Sequence, residues 1–188
     1  MLALSVSMAC QREPELPSYW LAPDFDLIDE TSTPYRGADL AGRVALVNFI
    51  YTSCADTCPL LTASMKRVQE RLVAERLLPG KVMLLSFTVD PERDSPAVLK
   101  DYGERVGATP DGWKFLTGDR AMLEATLLQG FKLPFRGPTP AGPLKPGFEI
   151  THTNRVLLLD RSGMIRGLLN GEDLDVDQVV RSMKRLAA

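Results

Sequence analysis

Two apolar runs constrain the fold more than any other feature of the chain: Val44–Ile50 (VALVNFI) and residues 82–89 (VMLLSFTV). Neither alternates with polar residues, so each reads as a strand buried on both faces, in a sheet covered by helices on its two sides. Between them the period changes. Over residues 58–77, Leu61, Met65, Val68, Leu72 and Arg76 recur at helical spacing, with Lys66, Arg67, Glu70 and Arg71 between them. Pro79-Gly80 is expected to stop that helix.

The remaining segments continue the alternation. Residues 25–28 read as a short strand, followed by a second extended piece near Tyr35. A helix is expected to start near Asp94-Ser95-Pro96, a capping residue with proline just inside. Residues 113–116 form a further strand, and Asp119 caps a helix running to about Gln129. Residues 133–148 are rich in Pro and Gly without periodicity and read as a long loop. Residues 154–160 and 165–169 flank Arg161-Ser162-Gly163 as a β-hairpin, and residues 175–186 close the chain as an amphipathic helix. This order predicts an α/β domain over residues 23–188: a central mixed sheet with helices on both faces. A cysteine pair at a strand-to-helix junction and a terminal hairpin narrow the expectation to a thioredoxin-like fold.

Composition excludes several functions. The 188 residues carry a formal net charge of −2, and Lys and Arg are scattered. No basic stripe could neutralise a phosphate backbone, so nucleic acid is not an expected partner. No apolar run approaches the roughly 20 residues that span a bilayer. Residues 1–22 read as a tail, with Pro14, Pro17 and Pro23 marking an extended linker. Its first ten residues, MLALSVSMAC, resemble the clipped end of a secretory h-region leading to Cys10, without the positive n-region of a complete signal. The expectation is export, with Cys10 as the point of lipid attachment; the alternative is a frayed cytoplasmic N-terminus with an incidental cysteine.

Three cysteines are too few for a disulfide-stapled scaffold. Cys54 and Cys58 lie close together in Y-T-S-C-A-D-T-C-P, between the first buried strand and its helix, and a close pair in a chain able to build its own core points to redox or metal chemistry. A helix N-terminus carries unpaired N–H groups and partial positive charge, which favour thiolate over thiol. Pro59 suits the first turn because its missing N–H would go unused. Three residues separate the cysteines, where a thioredoxin dithiol has two. The wider loop still permits a disulfide and leaves room for both sulfurs on one ion, with Cu(I) the preferred soft metal and Zn the other candidate.

The single histidine, His152, ends the Pro/Gly-rich loop just before residues 154–160. In a thioredoxin-like fold the loop entering that strand lies beside the cysteine turn. Two thiolates and this imidazole would form a trigonal S₂N site suited to Cu(I) and, with another ligand, Cu(II).

These residues carry a family resemblance. The chain resembles the Sco/SenC family, thioredoxin-like copper proteins of cytochrome c oxidase assembly, from about Trp20 to the C-terminus. The anchors are V-A-L-V-N-F-I-Y-T-S-C-A-D-T-C-P, F-T-V-D-P-E-R-D-S-P and H-T-N-R-V-L-L-L-D-R-S-G. The resemblance implies copper ligation by Cys54, Cys58 and His152, and places Asp90 near the site, either supporting the ligands from behind or simply as a turn-forming acid. Asp56 also matches a common family residue. Two features depart from the pattern: Thr151 stands where many members have aspartate, and the stretch 138–147 is Pro/Gly-rich rather than acidic.

The resemblance implies a copper chaperone, loaded by a copper donor, that delivers Cu(I) or Cu(II) to the dinuclear copper site of cytochrome c oxidase subunit II or a similar cuproprotein. Its implied place is extracytoplasmic, with the protein membrane-anchored. The alternative is a thiol–disulfide reductase acting on the same target's cysteines, in which Cys54 and Cys58 are catalytic and His152 is dispensable. A peroxiredoxin-type peroxidase fits less well, because the Thr such enzymes carry three residues before the reactive cysteine is Tyr51 here, with Thr52 one residue late. The seven methionines are scattered among apolar positions and read as core.

Overall fold

A computed structural model of the chain describes residues 14–54, 57–133 and 154–188, with Thr57 and Cys58 described by backbone alone. Its described strands are β1 (Asp26–Asp29), β2 (Pro34–Arg36), β3 (Val44–Ile50), β4 (Val82–Thr88), β5 (Trp113–Thr117), β6 (Arg155–Leu159) and β7 (Ile165–Asn170). The helices are α1 (Thr57–Ala74), α2 (Pro96–Val106), α3 (Arg120–Glu124) and α4 (Val176–Ala187). The strands form one seven-stranded sheet in the order β2-β1-β5-β4-β3-β6-β7. β3, β4 and β5 are parallel, while β1 and β6 join this block antiparallel on either side. The expected mixed sheet is therefore present, and both long apolar runs lie at its centre.

Every residue of β3 and β4 is buried, because the pleat sends alternate side chains into two separate cores. On one face Val44, Leu46 and Ile50 pack with Leu61, Met65, Val68 and Leu72 of α1, Leu99 of α2 and Val179, Val180 and Met183 of α4. On the other, Ala45, Val47 and Phe49 pack with Phe25, Phe87, Leu123 of α3, Leu127 and Phe131. Helices thus cover both faces, three on one and α3 on the other. A polar thread crosses the first core: Trp113 Nε1 donates to Ser86 Oγ at 2.9 Å, and Ser86 Oγ donates to Asn48 Oδ1 at 2.6 Å.

The structure corrects three details. α1 ends at Ala74, ahead of the expected stop at Pro79-Gly80, because Arg76 turns left-handed at φ 57°. Leu77 N–H donates to Leu72 O and Arg76 N–H to Val73 O, both at 2.9 Å, which closes the helix as a Schellman motif. The helix expected to run to about Gln129 is α-helical only through α3 and continues as a π-helical segment over Ala125–Gly130. Here Phe131 N–H donates to Thr126 O at 2.9 Å, and Gly130 lies so close to the Pro23 ring that a side-chain Cβ would sit 2.2 Å from Pro23 Cβ. Residues 14–22 are extended, as the prolines suggest, yet they are bound to the domain. Tyr19 N–H donates to Ile165 O at 2.9 Å, Ile165 N–H to Trp20 O at 2.8 Å and Ala22 N–H to Gly163 O at 2.8 Å. Arg166 holds the carbonyls of Pro17 and Leu16, each at 2.7 Å, and Trp20 Nε1 donates to Gly130 O at 3.0 Å. No described helix is long and apolar enough to cross a membrane.

Candidate metal centre

The parallel strands β3, β4 and β5 end on one edge of the sheet, and α1, α2 and α3 begin there. This is the edge where open α/β sheets bind ligands. Ile50 ends β3, and residues 51–54 form a β-turn in which Cys54 N–H donates to Tyr51 O at 3.2 Å. Tyr51 is buried, and Cys54 is partly buried against the same core as Phe49 and Phe87. Cys58 is the second residue of α1, so its backbone lies in the first helical turn, as the sequence predicts. That turn carries the helix's unpaired N–H groups and positive dipole end.

His152 lies outside the described residues, as do Cys10, Asp56, Thr151 and residues 138–147. The chain just after His152 is described. β6 pairs antiparallel with β3, Ala45 with Leu159 and Val47 with Leu157, and continuing that register sets Arg155 level with Phe49. β6 therefore begins at the edge where β3 ends. Three residue steps separate Arg155 from His152, a span of at most about 10 Å in extended chain. Among the described residues no group of three or more His, Cys, Asp or Glu forms a metal cluster.

Asp90 is fully buried just beyond β4. Its carbonyl accepts from Arg93 N–H at 3.1 Å and Asp94 N–H at 2.9 Å, so it does shape a turn. Its carboxylate accepts twice from Arg93 Nη1, at 2.9 and 3.1 Å. Burial pushes its pKa up from the ordinary value, and the Arg93 charge offsets this only in part. Beside it, burial is the largest single influence on Glu92 and works against its ionisation, but the hydrogen bond from Arg120, a backbone hydrogen bond and the Arg120 and Arg93 charges together outweigh it and hold that carboxyl below its usual range.

Sequence reasoning missed Asp94. Placed at the start of α2, it looks like part of a cap, but Ser95 is the N-cap, its hydroxyl accepting from Val98 N–H at 3.4 Å. Asp94 is instead 1% exposed and reaches across to the cysteine turn. It accepts from Thr52 Oγ1 at 2.5 Å, from Thr52 N–H at 3.2 and 3.3 Å to its two oxygens, and from Thr88 Oγ1 at 2.5 Å. Thr88 Oγ1 in turn accepts from Asp90 N–H at 2.9 Å. Burial raises the Asp94 pKa, and the Thr52 and Thr88 hydrogens draw it back only in part. No local signal marks this role, since Thr52 and Asp94 stand 42 residues apart.

A mixed sheet with two cysteines at the turn from its first central strand into a helix defines a thioredoxin-like protein, and the third residue between the cysteines separates it from the C-x-x-C dithiols. The chain belongs to the SCO1/SenC family, whose model matches residues 14–188. It is 32% identical over 147 residues to a SCO1 protein homolog of Bacillus subtilis, covering 77% of this chain and 72% of that protein. It is 31% identical over 152 residues to a candidate copper-binding protein of Stutzerimonas stutzeri, covering 81% and 70%. Among solved structures, a SCO1/SenC family lipoprotein of Bacillus anthracis superposes with a TM-score of 0.79 at 27% identity, over 90% of this chain and 96% of that one. BsSco, a Sco family cytochrome c oxidase assembly protein described for a disulfide switch, gives 0.78 at 27%, over 95% and 99%. Copper-bound ScoI of Bradyrhizobium japonicum gives 0.72 at 26%, over 88% and 99%.

Proposed function

We propose that this protein binds one copper ion through the thiolates of Cys54 and Cys58 and the neutral imidazole of His152, and delivers it to the dinuclear copper site of cytochrome c oxidase subunit II or a similar cuproprotein. The observation that carries this reading is that Cys54 and the backbone of Cys58 at the head of α1 lie at the strand-to-helix edge where β6, three residues after the only histidine of the sequence, also begins. The likeness to copper-bound ScoI and to the Stutzerimonas protein supports copper as the cargo. Two soft thiolates and one imidazole suit Cu(I), and a further ligand would suit Cu(II). All three ligands must be deprotonated, so acid weakens binding. Transfer proceeds by exchange of these ligands for cysteines of the target, and a separate donor reloads the protein. The likeness to the Bacillus anthracis lipoprotein supports an extracytoplasmic place, with Cys10 as the lipid-bearing residue.

The disulfide switch described for BsSco favours a second activity at the same cysteines. The Cys54 thiolate attacks a target disulfide, forming a mixed disulfide and releasing one target thiolate. The Cys58 thiolate then attacks Cys54 Sγ and releases the other, so two electrons pass to the target and this protein is left with its own disulfide.

Replacing His152 separates the two readings. With His152→Ala, copper transfer to a soluble copper-accepting domain of subunit II, followed by the target's absorption, should be lost. Exchange with a small aromatic disulfide should stay within about twofold of wild type, because thiolate attack needs no imidazole ligand. Transfer at the wild-type rate would contradict delivery from a Cys₂His site.

A further inference from the structure

The cysteine turn is held by a buried carboxylate from outside its own segment. Thr52 is the second residue of the turn that ends at Cys54, and Asp94 binds both its backbone N–H and its hydroxyl. The other end of the same carboxylate binds Thr88, the last residue of β4. β4 is itself fixed to the turn's root, with Val89 N–H donating to Ile50 O at 2.8 Å. One side chain from the head of α2 thus ties the turn to the sheet, through three donors and at 1% exposure. An ordinary helix cap would instead bond its own helix, and Ser95 already does that here.

We propose that Asp94 is the positioning residue of the site: by clamping Thr52 it fixes where Cys54 stands relative to α1, and so sets the reduction potential of the Cys54–Cys58 dithiol. The inference rests on the reading of Cys54 and Cys58 as a working pair. Closing their disulfide requires Sγ of Cys54 to meet Sγ of Cys58 on the first turn of a rigid helix. A turn already held in place loses little freedom on closure, whereas a released turn presents its sulfur at lower effective concentration. The clamp therefore favours the disulfide, and loosening it makes the disulfide easier to reduce.

The test is equilibration of the full chain with glutathione, in which oxidised glutathione takes two electrons from the dithiol to leave the protein disulfide and two reduced glutathiones. Thr52→Val removes one clamp hydroxyl and keeps the backbone. Asp94→Asn keeps the shape but presents an N–H₂ where an oxygen accepts. Each should lower the equilibrium constant for disulfide formation about tenfold, a rise in potential of about 30 mV. Thr52→Ser restores the hydroxyl and should return the wild-type value. Ser86→Ala, which loosens the core polar thread away from the turn, controls for lost stability and should leave the potential unchanged. Potentials for Thr52→Val and Asp94→Asn within twofold of wild type in equilibrium constant, or a shift matched by Ser86→Ala, would overturn the clamp. A wild-type protein that forms no Cys54–Cys58 disulfide at all would instead overturn the dithiol reading beneath it.

Discussion

Cys54→Ser and Cys58→Ser should each weaken Cu(I) binding by more than about a hundredfold, since even outer-shell partners of metal ligands typically contribute 10–100-fold. A serine hydroxyl is a hard oxygen that stays protonated at neutral pH and cannot replace a soft thiolate. His152→Ala should separate the two oxidation states. Two thiolates still hold Cu(I) as a soft pair, so its affinity falls less than in the cysteine variants, whereas Cu(II) loses its only imidazole and should no longer be retained. Competition titrations with a chromophoric Cu(I) chelator, and electron paramagnetic resonance for Cu(II), measure both. Wild-type affinity in all three variants would remove the ligand assignment. Retained Cu(II) in His152→Ala would remove the histidine alone.

Phe87→Ala should produce the largest loss of stability of any single core truncation next to the site. Phe87 is fully buried in β4, with its ring 5.2 Å from Phe25, 5.3 Å from Phe131 and 6.0 Å from Phe49, centroid to centroid. The first two pairs are edge-to-face, the arrangement aromatic quadrupoles prefer. The four rings come from four separated stretches of chain, and Phe87 touches the other three. Removing it leaves a cavity that they cannot all collapse to fill, at a cost of about 3–5 kcal/mol. Against a total stability of roughly 5–15 kcal/mol this is a large fraction. For a domain of this length it corresponds to a fall in Tm of about 6–20 °C. Phe87→Leu keeps most of the volume and should cost much less. Calorimetry decides: a fall of less than about 3 °C for Phe87→Ala would show that this cluster does not carry the second core.

What could be read from the sequence follows the range over which each interaction acts. β3 and β4 were legible because their burial on both faces writes itself as uninterrupted apolar runs, and α1 because Leu61, Met65, Val68 and Leu72 keep helical period. Their ends were less legible. Arg76 ends α1 in a left-handed conformation that glycine usually supplies, so composition pointed past it to Pro79-Gly80. The π-helical segment ends at Gly130 against the remote Pro23 ring, and the docking of residues 14–22 depends on β7, so neither has a local signature. The site divides in the same way. The cysteine turn and the head of α1 were visible as a spacing and a proline. Asp94 was hidden, because its partners at Thr52 and Thr88 are assembled only when β3, β4 and α2 meet.

The central claim is that two sulfurs from one turn and one distant imidazole close on a single ion. X-ray absorption at the copper edge of the Cu(I)-loaded full chain, compared with His152→Ala, tests it most directly. The account predicts one copper per chain with two sulfur neighbours at thiolate distance and one imidazole nitrogen, and loss of the nitrogen shell alone in the variant. A wild-type spectrum without the imidazole scattering, or one unchanged by the substitution, would contradict it.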